Sequence, residues 1–167
     1  MSNTIGTVDM FLAIKGAMRG KINGESQDSK HKNEIEVLGW SWGMQSRSAG
    51  GGVAATGRAT IKELQIFKRV DSATTALMGA LRQNEPIKEA TLTIRKFGSP
   101  PLEYFTIKIE DGRVTGVDVQ VDPDIATEVR EVITFSFNKI EVTYVPQKGD
   151  GSGKGGMSFL DDWAPQV

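Results

Sequence analysis

The segment Gly24–Gly43, which reads GESQDSKHKNEIEVLGWSWG, joins a polar loop to a strand that turns abruptly aromatic. It contains His31, the only histidine of the chain, and two of the three tryptophans. Glu34–Val37 alternates charged and apolar residues, and this period of two is typical of a strand with one wet and one dry face. Trp40 and Trp42 lie two residues apart, so their rings are predicted to share one strand face. That face either packs into a core or presents an aromatic platform to a sugar or a partner.

Composition limits the classes of function that the chain can have. Its 167 residues suit one domain with a real core, and a net charge of −1 provides no global basic field for nucleic acid. The absence of cysteine excludes disulfides and thiolate chemistry. No apolar run approaches the roughly 20 residues that span a bilayer, so we expect no membrane insertion. Val8–Ile14 is interrupted by Asp9, and we interpret it as a first strand and not as a signal peptide.

Alternating segments recur along most of the chain and predict its fold class. Seven or eight strands and a single convincing helix favour a mainly β fold, an antiparallel β-barrel or closed two-sheet barrel with one α-helix on its flank. Residues 44–58 are rich in glycine, serine and alanine, which predicts a mobile loop. We assign residues 1–148 to the barrel domain and residues 149–167 to a glycine-rich linker and C-terminal tail.

Several local boundaries are predicted from turn and capping residues. Ala59–Val70 is predicted as one strand, and Asp71 or Ser72 as the cap of the helix. The dipeptide Asp111–Gly112 predicts a hairpin turn. The apolar stripe of the helix is predicted to consist of Ala73, Leu77, Met78 and Leu81.

His31 is the one residue that suggests catalysis, because imidazole and nearby carboxylates can exchange protons near neutral pH. Asp28, Glu34 and Glu36 supply such carboxylates. Glu34 and Glu36, however, lie two apart and are predicted to share the solvent face of a strand. We therefore interpret the group as a polar loop that leads into a wet strand face. One histidine also cannot form a common zinc site.

Two other motifs resemble ligand loops but depart from the required spacing. Asp122, Asp124 and Glu128 are interrupted by Pro123, which a calcium loop of the EF-hand type does not tolerate. Residues 149–155 lack the spacing and the final Ser or Thr of a phosphate-binding loop. No serine-hydrolase elbow is present either. The residues thus predict no catalytic site, metal or cofactor, and they favour a binding or assembly module over an enzyme.

Several short stretches along the chain match a known family in their order and spacing. They are DMFL (9–12), GES with Asp28 and His31-Lys32, EIEVL and WSWG (34–43), Val70-Asp71, IKEA and LTIRK (87–96), and VTYVPQ (142–147). Together they resemble the haemolysin-coregulated proteins (Hcp), the tube subunits of the bacterial type VI secretion system. Asn33 stands where a glycine is common in that family.

The resemblance implies a two-sheet barrel with a flanking helix and a homohexameric ring with a central channel. It also implies that rings stack into an inner tube, which a contractile sheath expels together with small effector proteins in its lumen. The implied partners are the spike, sheath and baseplate proteins. Assembly in the bacterial cytoplasm and secretion without a cleaved signal peptide follow from the same resemblance, as does the lack of catalytic residues.

The long loop is a natural arm for contacts between rings, because such a segment can order on binding. The residues predicted at the ring-stacking interface are Trp40, Trp42, Met44, Gln45, Ser46, Arg47 and Ser48. The alternative is a monomeric β-barrel module that binds a small ligand or glycan through Trp40 and Trp42.

Overall fold

A computed structural model describes residues 9–46, 59–98, 100–124, 128–148, 153 and 155–162. Within them the chain forms eleven strands and one helix. The strands are β1 (Asp9–Gly16), β2 (Gly20–Ile22), β3 (Ile35–Ser41), β4 (Met44–Gln45), β5 (Thr60–Ile61), β6 (Leu64–Arg69), β7 (Ile87–Lys96), β8 (Leu102–Gln120), β9 (Arg130–Ser136), β10 (Lys139–Tyr144) and β11 (Met157–Asp162), and the helix is α1 (Thr74–Arg82). No helix in these ranges is long and apolar enough to cross a membrane.

Six antiparallel strands close into a barrel in the order β8-β7-β1-β3-β6-β9, and β9 returns to pair with β8. Closure leaves the barrel without free edges, which is how small antiparallel sheets protect their backbone polar groups. Strands β10 and β11 extend the sheet beyond β8, and we call them together the flap. The prediction of a mainly β barrel with a single helix is confirmed.

The period-two pattern of the strands places their branched apolar residues in the barrel interior. Leu12 and Ile14 of β1, Ile107 and Ile109 of β8 and Phe135 of β9 are among the fully buried residues of this core. The helix covers its flank. Its buried residues are Thr74, Leu77 and Ala80, whereas Met78 is exposed, so the predicted helical stripe was only partly correct.

Strand β8 passes through Asp111–Gly112 without turning, so the predicted hairpin is wrong. Its first half pairs with β7 and β10, and its second half pairs with β9. Asp111 has a φ of 51°, and a Cβ on Gly112 would lie 2.8 Å from the carbonyl oxygen of Ser136. The left-handed residue and the close approach to β9 therefore bend a continuous strand, which pairs with β7 and β10 before the bend and with β9 after it.

A β-bulge in β3 explains the change of pattern within the opening segment. The pairing of β3 with β6 shifts between Val37 and Gly39. Before the bulge Ile35 and Val37 are buried, whereas after it Trp40 and Trp42 pack against the core. One extra residue thus moves the inward face from odd to even positions, and the prediction that both tryptophans share a face holds.

A buried ionic cluster lies at the start of the helix. Lys68 and Glu131 are fully buried, on neighbouring strands β6 and β9, and form an ion pair. Lys68 Nζ also lies 2.8 Å from Asp71 Oδ1, and Thr74 Oγ1 donates to Glu131 Oε1 at 3.0 Å. The helix N-cap is Ala73, not Asp71 or Ser72, but Asp71 Oδ1 accepts the Ala73 amide. The carboxylate predicted as a cap thus belongs to this cluster.

Other boundaries also differ from the predictions. Ala59–Val70 contains two strands, because Lys62 leaves the strand path and donates its amide to the carbonyl of Gly43. Asn33 has a φ of 64°, the left-handed conformation that glycine adopts most easily, which accounts for the glycine common at this point in the resembled family. Beyond residue 148, Met157–Asp162 is not a free tail but pairs with β10 along its whole length. The domain division at residue 148 stays a prediction.

Candidate assembly surface

The polar loop of the opening segment folds onto the outer face of β1. Its ends pair with each other, since Ser26 donates its amide to the carbonyl of Glu34 and accepts from the amide of Asn33. The His31 ring stacks on Phe11 with ring centroids 4.5 Å apart and an interplanar angle of 9°. Phe11 alternates with the core residue Leu12 and is itself buried under the loop. This stacking explains how a loop of polar composition is held in place.

His31 is only 8% exposed and lies between two carboxylates. Its Nδ1 is 2.8 Å from Glu34 Oε2, and its Nε2 is 2.6 Å from Glu103 Oε1 on β8. The prediction that Glu34 faces solvent was wrong, because Glu34 precedes β3 and its side chain is only 15% exposed. Glu36 does face solvent. Since both ring nitrogens contact carboxylates, the arrangement fits an anchor better than an acid–base catalyst.

Arg95 of β7 fixes the tip of the same loop. Its guanidinium contacts both carboxylate oxygens of Asp28, at 3.0 and 2.7 Å, and Asp9 Oδ2 at 3.0 Å. It also lies 5.1 Å from the centre of the Phe11 ring. The hydrogen bonds that Arg95 donates to Asp28 lower the pKa of Asp28 to about 2 and raise the pKa of Arg95. The pair therefore remains charged in all but strongly acid solution.

We expect Asp28→Asn to lower the free energy of unfolding by about 1–2 kcal/mol at neutral pH, the scale of a partly exposed charge-assisted contact. The pKa of Asp28 falls from 3.8 to about 2 on folding. The extra stability of the wild type is therefore complete at pH values above the unfolded pKa, and it disappears as the pH falls through the folded pKa. Urea unfolding of both proteins at several pH values measures it. A difference that stays constant down to about pH 2 would contradict this account.

The predicted arm begins as a short hairpin. Met44 and Gln45 form β4, and they pair with Ile61 and Thr60 of β5. Both β4 residues are exposed, as is Ser46. Of the predicted interface residues, Arg47 and Ser48 lie outside the described residues. We use arm for β4, β5 and the residues 46–59 between them. The loop predicted from Met44 onward thus starts with two paired residues.

Trp40 and Trp42 lie at the base of this arm, where they support the barrel. Trp40 stacks on Phe105 across the core, with ring centroids 5.8 Å apart and an interplanar angle of 16°. Trp42 is half-buried, and its indole Nε1 is buried without a hydrogen-bond partner in the described part of the chain. Because Phe105 covers one face of Trp40 and both indoles pack on the core, the structure presents no paired aromatic platform.

The flap carries an apolar surface that the sequence analysis missed. Tyr144 pairs with Met157 and Val142 pairs with Phe159, so these four side chains share one face. That face continues from the buried residue Ile140. Tyr144 is 42% exposed, Met157 64% and Phe159 43%. The alternation of Met157 and Phe159 with polar Ser158 could have predicted this strand. The glycine-rich residues before Met157 obscured the pattern.

Of the remaining sequence candidates, Asp122, Asp124 and Glu128 lie within the described residues, whereas most of residues 149–155 lie outside them. Asp122 Oδ1 accepts the amide of Asp124, which makes the predicted turn. No group of three or more histidine or acidic side chains in the described residues could hold a metal ion. Within the described ranges, the feature that stands out at the surface is instead the exposed apolar face of the flap.

A protein-family comparison matches residues 11–144 to the family described as type VI secretion system effector, Hcp. Among curated proteins, the chain is 37% identical over 152 residues to Protein hcp1 of Pseudomonas aeruginosa. That alignment covers 89% of this chain and 90% of the relative. The family model and the relative thus span nearly the whole barrel.

Solved structures agree with the sequence comparisons. Hcp1 from Salmonella typhimurium is 31% identical with a TM-score of 0.74, covering 93% of this chain and 95% of that one. A type VI secretion system effector from Yersinia pestis is 34% identical with a TM-score of 0.72, covering 92% and 99%. The family model and these relatives together show that the chain belongs to the Hcp family of type VI secretion proteins.

Proposed function

We propose that this chain is a structural subunit of the inner tube of a type VI secretion system, and not an enzyme. In this proposal six copies form a ring, and the rings stack into a tube. Sheath contraction exports the tube with small effectors in its lumen. Membership of a family of secreted, structural type VI secretion proteins supports the role as a structural subunit. The single observation that supports the assembly is the exposed apolar face that the described residues of the flap form.

The flap favours a second copy of the chain as the molecule that covers it. Tyr144, Met157 and Phe159 expose large apolar areas side by side, on strands that extend beyond the closed barrel. Contiguous apolar patches on a surface mark association sites. If the flap of each copy packs on a different surface of the next copy, the contact is head-to-tail, and repeated rotation closes a ring.

The arm is suited to the second contact, between rings. Its base consists of the paired strands β4 and β5, on which Met44 and Gln45 are exposed. We propose that Met44, Gln45, Ser46, Arg47 and Ser48 contact the adjacent ring, and that Trp40 and Trp42 hold the base of the arm. A near-neutral net charge permits copies to associate without strong repulsion.

The proposal also covers partners and location. The spike, sheath and baseplate proteins would contact the assembled tube, and the lumen would hold small effector proteins. Assembly in the bacterial cytoplasm and export without a cleaved signal peptide are part of the same proposal, and membership of a secreted type VI family supports the export. Neither nucleic acid nor a membrane is a partner in this proposal.

Sizing by multi-angle light scattering, followed by negative-stain imaging, tests the assembly. We expect six-subunit particles that appear as rings with an open centre. A strictly monomeric particle over the accessible concentration range would overturn the proposal. A monomer whose tryptophan fluorescence also responds to glycans would support the alternative binding module instead.

Shortening the arm is expected to weaken stacking without unfolding the barrel. Replacing residues 46–59 by Asn-Gly would join Gln45 directly to Thr60 through a two-residue turn that suits antiparallel strands. We expect rings to form and the free energy of unfolding to change by about 0.5 kcal/mol or less, while tube length in electron micrographs falls sharply.

A matched control replaces the same residues with a Gly-Ser linker of equal length. Short tubes in both variants indicate that arm sequence matters, and normal tubes in the linker variant indicate that length suffices. An unfolded shortened variant would show that the arm belongs to the core.

A further inference from the structure

We propose that His31 is a proton-dependent clasp that holds residues 26–34, the clasp loop, against the barrel. The proposal is independent of the assembly proposed above, since it concerns contacts within one chain. His31 lies in the clasp loop, Phe11 on β1 and Glu103 on β8, so the imidazole joins three parts of the fold. Glu34 at the end of the loop completes the contact.

Both contacts of the ring with ionised carboxylates are satisfied as hydrogen bonds only when both ring nitrogens carry a proton. A neutral imidazole carries one N–H, whereas the imidazolium carries two. Both His31 nitrogens lie within 2.8 Å of ionisable oxygens, one of Glu34 and one of Glu103. Carboxylates only accept hydrogen bonds when ionised, so a neutral ring would direct a lone pair at one of them. Loss of the proton therefore converts one attraction into a repulsion.

The charged groups around the ring differ in how firmly they are held. Glu103 is 42% exposed and can swing into solvent, whereas Glu34 is 15% exposed and stays in place. On the other side of the loop, Arg95 of β7 binds Asp28 of the loop and Asp9 of β1. The ion pair of Arg95 with Asp28 remains charged across the pH range in which imidazoles titrate. Deprotonation should thus release the His31 side of the clasp loop and leave the Asp28 side attached.

Opening of this side would expose Phe11, which is otherwise buried. Lys30 and Lys32 flank His31 and are exposed, so trypsin can recognise both. Opening would also release the backbone around them from the barrel, which cleavage requires. The surface that β1 and the clasp loop present would then differ between acidic and alkaline solution.

Trypsin cleavage of the full chain, measured site by site with mass spectrometry between about pH 6 and pH 9, tests the clasp. The rates after Lys30 and Lys32 are divided by the rate after exposed Lys148, which cancels the pH dependence of the protease. We expect this ratio to rise by about three- to tenfold, the effect of losing one charge-assisted hydrogen bond that is partly exposed. The chain's only histidine, labelled with ¹⁵N, reports the pH at which the ring loses its proton.

Two variants make the test specific. Glu103→Gln supplies an amide that can donate to a neutral ring and accept from a charged one, so its cleavage ratio should stay low at every pH. His31→Gln cannot donate to two carboxylates in the same way, and its ratio should be high at every pH.

A wild-type ratio that does not change with pH would overturn the proposal. So would a rise that does not coincide with the ring titration, or an equal rise in Glu103→Gln. If His31→Gln fails to fold, the comparison between wild type and Glu103→Gln still decides the matter.

Discussion

Replacing Lys68 with methionine is expected to lower the free energy of unfolding by about 3–5 kcal/mol, the range for removing one partner of a buried ion pair. Lys68 is fully buried against Glu131, which is also buried, and it contacts Asp71 at the start of the helix. Without the ammonium group, Glu131 would remain charged in the interior with only Thr74 as a donor. Urea unfolding followed by tryptophan fluorescence measures the loss.

Two further variants test whether the loss comes from an unpaired charge. Lys15→Met on exposed β1 surface is the matched control, and we expect it to change stability by about 0.5 kcal/mol or less. The double variant Lys68→Met with Glu131→Leu should regain part of the loss, because removing both charges avoids the desolvation penalty. All proteins are compared at one concentration, since any association between copies would also stabilise the fold. A Lys68→Met protein as stable as Lys15→Met would refute the account of this cluster.

The second large effect is expected at the flap, where Phe159→Asp should weaken ring formation by about thirtyfold or more. That is the scale for losing a central aromatic contact of an interface. Phe159 lies opposite Val142 and on the same face as Met157 and Tyr144. A carboxylate there would be desolvated in the contact between copies. Sedimentation velocity over a concentration series measures the change in association.

Ser158→Asp provides the matched control, because it adds the same charge one residue away on the opposite face of β11. We expect this variant to assemble like the wild type, and circular dichroism should show that both variants keep their strands. Equal loss of assembly in both would indicate a general charge effect. Unchanged assembly in Phe159→Asp would remove the flap from the interface.

Much of the barrel could be predicted because strand periodicity is a local property. The alternation of Phe105, Ile107 and Ile109, like that of Val8, Met10 and Leu12, is independent of the partner strand. The same locality caused the error at Asp111–Gly112. A left-handed residue followed by glycine suits a hairpin as well as a bend, and only the pairing with β9 distinguishes them.

The buried ionic cluster could have been found from the strand pattern. Leu64, Ile66 and Lys68 alternate, so Lys68 shares the inward face with two core residues. Its partner Glu131 lies 63 residues later and alternates with Ile133 and Phe135 in the same way. An inward charge on each of two strands predicts a buried pair, although their adjacency depends on the topology.

The candidate site was predicted less completely, because it depends on contacts between distant segments. The glycine-rich composition of residues 44–58 predicted a loop, whose role as an arm stays a prediction, and the structure adds the pairing of β4 with β5 at its base. His31 contacts Phe11 and Glu103, and Glu103 lies 72 residues away from it in the sequence. No spacing in the sequence indicates either contact. The flap was missed because β11 acquires its strand character from pairing with β10 and not from its own composition.

The central claim is that copies of this chain form rings by covering the flap of each subunit with its neighbour. Electron cryomicroscopy of the purified full chain tests it most directly, at a resolution that shows side chains. The account predicts six-subunit rings in which Tyr144, Met157 and Phe159 are buried against the adjacent subunit and the arms reach the next ring. Monomers, or rings in which these three side chains face solvent, would contradict it.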